Sequence, residues 1–525
     1  MPLARDRHKR LYGLHSWSGI LFAWFLFVVC WSGTAAVFVE DIVTFEDPTL
    51  RHSVPADATP DIDADLRAAH AELSALGRID YLIVDFPRDR MPFYWIRGGA
   101  VVEGEGLREI ERKFHPGTGA PLPVRGDGAA HWILEFHTDL MLPNPLGRTL
   151  VGLAGIVLGL AAITGLFIHG KLIREFFTLR LMRSQRLKWQ DSHKLLGVIT
   201  LPFSAMIAFT GAYLGIIAIL APIIAVIAFK GDTDALVEAV VGAPLEPVGQ
   251  QVAMISLSDI QAMRVPGLED GPYRVIANHY GDAAARFDVL FFETEDLATT
   301  QIHPVGGATG APVDAPRLTD PGPANRIVNA LSPLHFGTYG GMALKWIYGV
   351  LGLGLCIMTA LGTMLWIERR RYGSEGTKSD RFYEALSRMN IGICLGFPAA
   401  TIGLLGFDAL YAGAEAARTV WTGTAYFGLV LLTVLFALLH TDGYAAVRRG
   451  LWGLAGLAVI SVTANLAVHG WPSGRGDVQS VMACLIGLAA LTALSARWLP
   501  QGRPTIRKRV RRVATDETGG PSPAF

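Results

Sequence analysis

Two stretches decide the architecture of this chain: LHSWSGILFAWFLFVVCWSG, from Leu14 to Gly33, and SHKLLGVITLPFSAMIAFTG, from Ser192 to Gly211. In each, a histidine is followed by glycine four residues on, and by Ser-Gly or Thr-Gly seventeen and eighteen residues on. His15, Gly19, Ser32 and Gly33 therefore match His193, Gly197, Thr210 and Gly211. Eighteen residues make five turns of α-helix, so each histidine and its distant glycine share one face. Such a face has an imidazole at one membrane edge and small residues along the rest. It suits a flat, bulky ligand wedged between helices, and haem is the first candidate.

The composition agrees with a membrane setting. Of 525 residues, 51% are apolar and 18% charged, and mean hydropathy is positive. This is the balance of a multi-pass membrane protein. Formal net charge is zero, and no nucleic-acid partner is expected. Cys30, Cys356, Cys394 and Cys484 all lie in apolar runs, which argues against a disulfide framework or a cysteine metal cluster. The basic arm MPLARDRHKR leads into an apolar run without a small-residue cleavage site, and reads as a retained first span.

Spans of roughly 20 apolar residues are expected near 16–39, 146–168, 195–228, 343–367, 390–412, 421–440, 451–469 and 478–498. The third contains Pro202 and Pro222 and is expected to kink or end early. Basic segments flank the spans at the N-terminal arm, 171–188, 368–373, 447–450 and 503–512. All fall on one side of an eight-span chain, which the positive-inside rule assigns to the cytoplasm, both termini included.

The expected organisation is a cytoplasmic arm and first span (1–39), a first periplasmic module (40–145), the second and third spans with a basic loop (146–228), a second periplasmic module (229–342), a fourth span (343–372), four further spans (373–500) and a basic tail (501–525). Each module reads as small and α+β. The first has an amphipathic helix over 61–77, then IDYLIVDF and MPFYWIRGG. The second has a helix near 256–264, then PYRVIANHY and RFDVLFFET. The fold class is thus an all-α membrane bundle of about eight transmembrane helices with two small α+β modules.

The second and fourth spans also match. With Gly165 aligned to Gly362, Arg148 meets Lys345, Gly152 meets Gly349, and Gly155 meets Gly352. His137 (LEFHTDL) and His335 (SPLHFGT) align with a one-residue offset. Spans one to four are then two copies of one unit, and shared sites are expected at the repeat interface. His15 and His193 form the inner pair, and His137 and His335 the outer pair.

Two imidazoles from symmetry-related helices suit the axial positions of a b-type haem. Arg148 and Lys345 are placed for outer propionates, and Arg10 and Lys194 for inner ones. A hydrocarbon core of ~30 Å favours two haems b, one per leaflet. The bland alternatives are interfacial anchoring by histidine and cation, and plain helix packing by glycine. His169 competes for the inner site and His131 for the outer one.

These segments resemble the PepSY-associated transmembrane family. The resemblance rests on the repeated His-x3-Gly segments, on LVGLAGIVLGLAAITGLFIHG, and on KFHPGTGAPLP, and covers about residues 8–372. It implies PepSY-like outer modules and, for some members, haem-bearing reductases of the bacterial inner membrane that act on ferric siderophores in the periplasm. His169 stands where the family often has an aromatic, and the last four spans exceed the family's minimal unit.

The leading expectation is a haem-b transmembrane electron-transfer protein, an oxidoreductase that reduces ferric iron in a siderophore or chelate. Sequences such as GLGL (352–355) lie inside spans and lack the strand–turn–helix setting of a dinucleotide site. An external donor is expected, a membrane quinol or a cytoplasmic reductase. The alternative is a non-enzymatic PepSY-type scaffold that binds a ligand or regulates a protease. Transport ranks last, because ionisable groups at depth are few.

Overall fold

A computed structural model describes residues 5–51, 60–88, 91–123, 125, 128–169, 185–233, 235–236, 246–266, 268, 270–292, 297, 300–315, 322–371 and 377–499. The basic stretch 171–184 and the tail 503–512, which entered the orientation argument, lie outside the described residues.

In chain order the main helices are α1 (Arg5–Leu21), α2 (Ala23–Ala36), α3 (Val39–Glu46), α4 (Asp63–Leu76), α5 (Ala129–Asp139), α6 (Leu146–Ile168), α7 (Gln185–Ile199), α8 (Leu201–Ala228), α9 (Leu257–Gln261), α10 (Gly322–Phe336), α11 (Gly341–Arg371), α12 (Lys378–Leu410), α13 (Arg418–Leu439), α14 (Gly443–His469) and α15 (Gly476–Trp498). Among the described residues, seven helices are long and apolar enough to span a membrane. The pair α1–α2 passes the same test only when its halves are taken together, with a 66° turn between them, which makes up to eight spans. The chain is a multi-pass membrane protein.

Both first spans of the repeat break, at matched residues. Phe22 separates α1 from α2, and Thr200 separates α7 from α8. The third span neither ends early nor stops at Pro222, which lies within α8. Pro202 instead falls in the first turn of α8, where a missing N–H costs no hydrogen bond. The breaks let each span change partners. α1 packs on α6 while α2 packs on α11, and α7 packs on α11 while α8 packs on α6. The α6–α8 crossing is tight: a Cβ on Gly155 would stand 2.7 Å from the Ala212 backbone nitrogen. Small residues permit that approach.

The two outer modules are not separate. Their strands, β1 (Arg78–Asp85), β2 (Tyr94–Val102), β3 (Gly106–Phe114), β4 (Pro121–Leu122), β5 (Arg274–Asn278), β6 (Arg286–Phe292) and β7 (Thr300–Gly306), form one antiparallel seven-stranded sheet in the order β4-β3-β2-β1-β5-β6-β7. The join is β1 to β5, with Asp85 opposite Arg274. Separate sheets, of four strands in the first module and three in the second, would each leave β1 or β5 as an edge with unpaired backbone groups, and the join removes both of those edges. Leu82, Val84, Ile96, Val275 and Val289 on one face pack with α4 and α9 in a single core.

The last four spans form a second bundle around α12, the most buried span. Its core takes in α3 and α5. Trp132 and Phe136 of α5 meet Tyr426 at 5.9 and 5.3 Å between ring centres. Glu46, at the end of α3, accepts from the Ala130 backbone N–H at 2.9 Å and so caps α5.

Burial, and then Asp408 nearby, push the Glu46 carboxyl up to about 8. Its folded value exceeds the unfolded one of about 4.3. The group therefore holds its proton longer when folded, and stability declines as pH rises from about 4.5 to about 8. Glu46→Gln keeps an acceptor for Ala130 and removes the titration. The thermal midpoint of the variant is expected to vary less than wild type between roughly pH 5 and 8.5. An unchanged slope would exclude Glu46 as its source.

Candidate functional site

Two histidine pairs lie at opposite ends of the four-span repeat unit. His15 and His193 have ring centres 6.3 Å apart, with planes at 71°. His137 and His335 have ring centres 6.1 Å apart, with planes at 15°. The outer pair is at the end that carries the sheet. It faces α6 near Arg148 and Gly155, whereas His15 meets α6 further on, at Ala161 and Thr164.

The hydrogen bonds define the tautomers. His15 Nδ1 donates to the Ala161 carbonyl at 3.1 Å, and His193 Nδ1 donates to the Met358 carbonyl at 2.9 Å. The outer rings use hydroxyls. His137 Nδ1 meets Ser32 Oγ at 3.2 Å, and His335 Nδ1 meets Thr210 Oγ1 at 2.9 Å. Those hydroxyls give their own protons to the carbonyls of Val29 and Met206. With the hydroxyl protons on those carbonyls, the oxygens accept from the imidazoles, and this assignment puts hydrogen on Nδ1 and a lone pair on Nε2 of all four rings. Ser32 and Thr210, visible in the sequence as the ends of the repeated motif, thus orient the outer rings.

Four glycines leave room for these rings. A Cβ on Gly33 would lie 2.7 Å from His137 Cε1, and one on Gly211 would lie 3.0 Å from His335 Cε1. The inner rings show the same relation, at 3.3 Å for Gly165 with His15 and 3.0 Å for Gly362 with His193. Both alignments of the repeat, Gly33 with Gly211 and Gly165 with Gly362, therefore place a glycine under an imidazole.

The spacing fits axial ligation. An imidazole–metal bond is about 2.0 Å, and a five-membered ring with sides near 1.33 Å has a radius of about 1.1 Å. Two rings on one metal then have centres about 6.2–6.3 Å apart. Among the described residues, no group of three or more His, Cys, Asp or Glu gathers as for a bare ion. Each pair supplies two donors and leaves the other positions to a macrocycle, which suits haem.

The outer pair opens on a cavity of about 240 Å³. Leu158, Ile207 and Leu214 make its walls apolar, and Arg148 lies among the lining residues.

Lys345 is placed elsewhere. It is 2% exposed, with Nζ 3.0 Å from Asp41 Oδ2 and 3.3 Å from Glu40 Oε2. Its charge is spent on tying α11 to α3, which removes it as a propionate cation despite its alignment with Arg148. The other histidines divide. His131 faces Glu135 at 3.0 Å, one turn along α5, and it is His137 that lies opposite His335. His169 closes α6 and lies close enough to His193 for their charges to interact. His440 bonds the Phe436 carbonyl and Arg449, and the His115 ring accepts from the backbone of its own turn.

Comparison with known proteins reaches the same repeat unit. An uncharacterised protein of Pseudomonas aeruginosa strain PAO1 is 29% identical over 350 residues, covering 64% of this chain and 86% of that protein. The family model of the PepSY-associated TM region matches residues 12–369, from just before His15 to the end of α11. The chain belongs to the PepSY-associated transmembrane family.

Proposed function

We propose that this chain is a haem-b transmembrane electron-transfer protein of the bacterial inner membrane, with cytoplasmic termini. It takes electrons from an external quinol or cytoplasmic reductase and reduces ferric iron in a chelate or siderophore on the sheet side. The observation that carries the reading is the doubled histidine pair with near-equal ring spacing.

His15 and His193 would hold one haem, and His137 and His335 the other. When bound, haem supplies a one-electron centre whose potential follows its axial ligands and burial. The chain's own residues do the rest. The carbonyls of Ala161 and Met358, and the hydroxyls of Ser32 and Thr210, fix ring orientation and raise ligand basicity. The glycines admit a flat group against the backbone. Arg148, exposed at the cavity mouth, is placed to neutralise a carboxylate there. The apolar walls exclude water.

The test is haem content and the dithionite-reduced minus oxidised spectrum of the detergent-purified protein. Two haems per chain with b-type bands are expected. One haem would mean that one pair is misassigned, with His169 the rival at the inner site. No haem after haem-replete expression would sink the reading and leave a binding or regulatory scaffold.

A further inference from the structure

The face of the sheet opposite α4 and α9 carries a cluster that neither outer module contains alone. One register row runs Lys113, Trp95, Asp85, Arg274 across β3, β2, β1 and β5. Asp85, fully buried, is held by Arg97 and Arg274 at 2.6 Å each. Arg97 stacks on Trp95 with its Cζ 4.0 Å from the ring centre. In the loop after β1, Arg88 lies over Tyr273 and Phe292, at 5.2 and 5.0 Å. Those two rings are themselves stacked.

Three features point to a ligand. First, the balance is positive: among the described residues, Arg88, Arg97, Arg274 and Lys113 outnumber Asp85, Glu111 and Glu40, and Glu40 is itself paired with Lys345. Second, Arg88 Nε, Trp95 Nε1 and Arg97 Nε are buried without a hydrogen-bond partner among the described residues. All three can only donate, so what they lack is acceptor oxygens. Third, the aromatic rings are pinned by strand register, which gives a stiff platform suited to a flat partner.

The cluster is linked to the outer pair through three steps. Arg88 feels the charge of Glu40, and Glu40 pairs with Lys345. One turn along α11 is Tyr348, which lines the cavity containing His137 and His335.

We infer that this sheet face is the acceptor's binding platform, and that it takes an anionic, oxygen-rich aromatic ligand such as a metal catecholate. The inference rests on the proposed function for what happens next, but binding can be measured apart from reduction. Gallium(III) replaces iron as a redox-inert probe. The full chain in detergent is titrated with the gallium complex of 2,3-dihydroxybenzoate, and with the neutral gallium complex of acetohydroxamate.

The catecholate complex is expected to bind at least about tenfold more tightly than the neutral one. Arg88→Gln is expected to weaken it about tenfold, the usual scale for losing one charge-assisted bond. Trp95→Phe keeps the ring, removes the orphan donor and should weaken binding by less. Equal affinity for the two complexes, or no change in Arg88→Gln, would overturn the inference. So would loss of catecholate binding in phosphatidylglycerol nanodiscs but not in phosphatidylcholine ones, since the platform would then serve lipid headgroups. A two-haem spectrum with no catecholate binding rejects this inference alone. Catecholate binding without haem rejects the electron-transfer reading alone.

Discussion

Replacing His137 and His335 together by alanine is expected to lower haem content from two per chain to one. Each pair would hold its own haem, and among the described residues no third His, Cys, Asp or Glu groups with the outer pair as for a metal ion. The inner pair lies at the other end of α6, so its haem and its bands should persist. His15→Ala with His193→Ala should give the converse loss. A milder change calibrates the result. Ser32→Ala with Thr210→Val removes the acceptors for both outer Nδ1–H groups but keeps the ligands. Loss of such a supporting partner typically costs 10–100-fold in metal affinity. The outer haem should therefore be retained at purification but lost first on dilution or against apomyoglobin. A His137→Ala, His335→Ala chain that still carried two haems would remove the outer site from the reading.

The repeat made this site legible. Imidazole and glycine recur at matched positions because each ring must lie against a gap in a neighbouring helix, and that requirement marks both partners in sequence. Gly165 and Gly362 were usable as alignment anchors for the same physical reason that they underlie His15 and His193. Hydropathy made the spans legible, but not their breaks. Thr200 stands two residues before Pro202, whereas no proline follows Phe22, whose break lets α1 and α2 pack on different helices.

Three other features depended on partners distant in the chain. Lys345 aligned with Arg148, but Asp41 and Glu40 lie some three hundred residues earlier and the burial that joins them is tertiary. The single sheet depended on β1 pairing with β5, which no local pattern encodes. The Arg88, Trp95 and Arg274 cluster was invisible for that reason: each loop holds only half of it. The last four spans read only as apolar helices, yet their inward face holds α3 and α5, and α5 carries His137.

That dependence leads to the largest expected effect on stability. Asp408 near the end of α12 and Arg418 at the start of α13 are each 1% exposed and bonded at 2.5 Å. Arg418→Met leaves a carboxylate buried without its counter-charge, which typically costs about 3–5 kcal/mol. The damage should not stay within the second bundle. Asp408 neighbours Glu46, Glu46 caps α5, and α5 presents His137 to the cavity. The variant should therefore melt at lower temperature and lose the outer haem before the inner one. Asp408→Leu combined with Arg418→Met removes both charges. Replacing a buried pair by apolar groups is often neutral or stabilising, by about 1–4 kcal/mol, so the double variant should recover both the melting temperature and the outer haem. Recovery in the double variant is the result expected of an unpaired charge, and Asp408→Asn with Arg418→Met, which adds no bulk, should recover as well, which filling of a cavity by leucine would not explain. A single Arg418→Met chain that melts like wild type would mean that the pair contributes nothing to the support of α5.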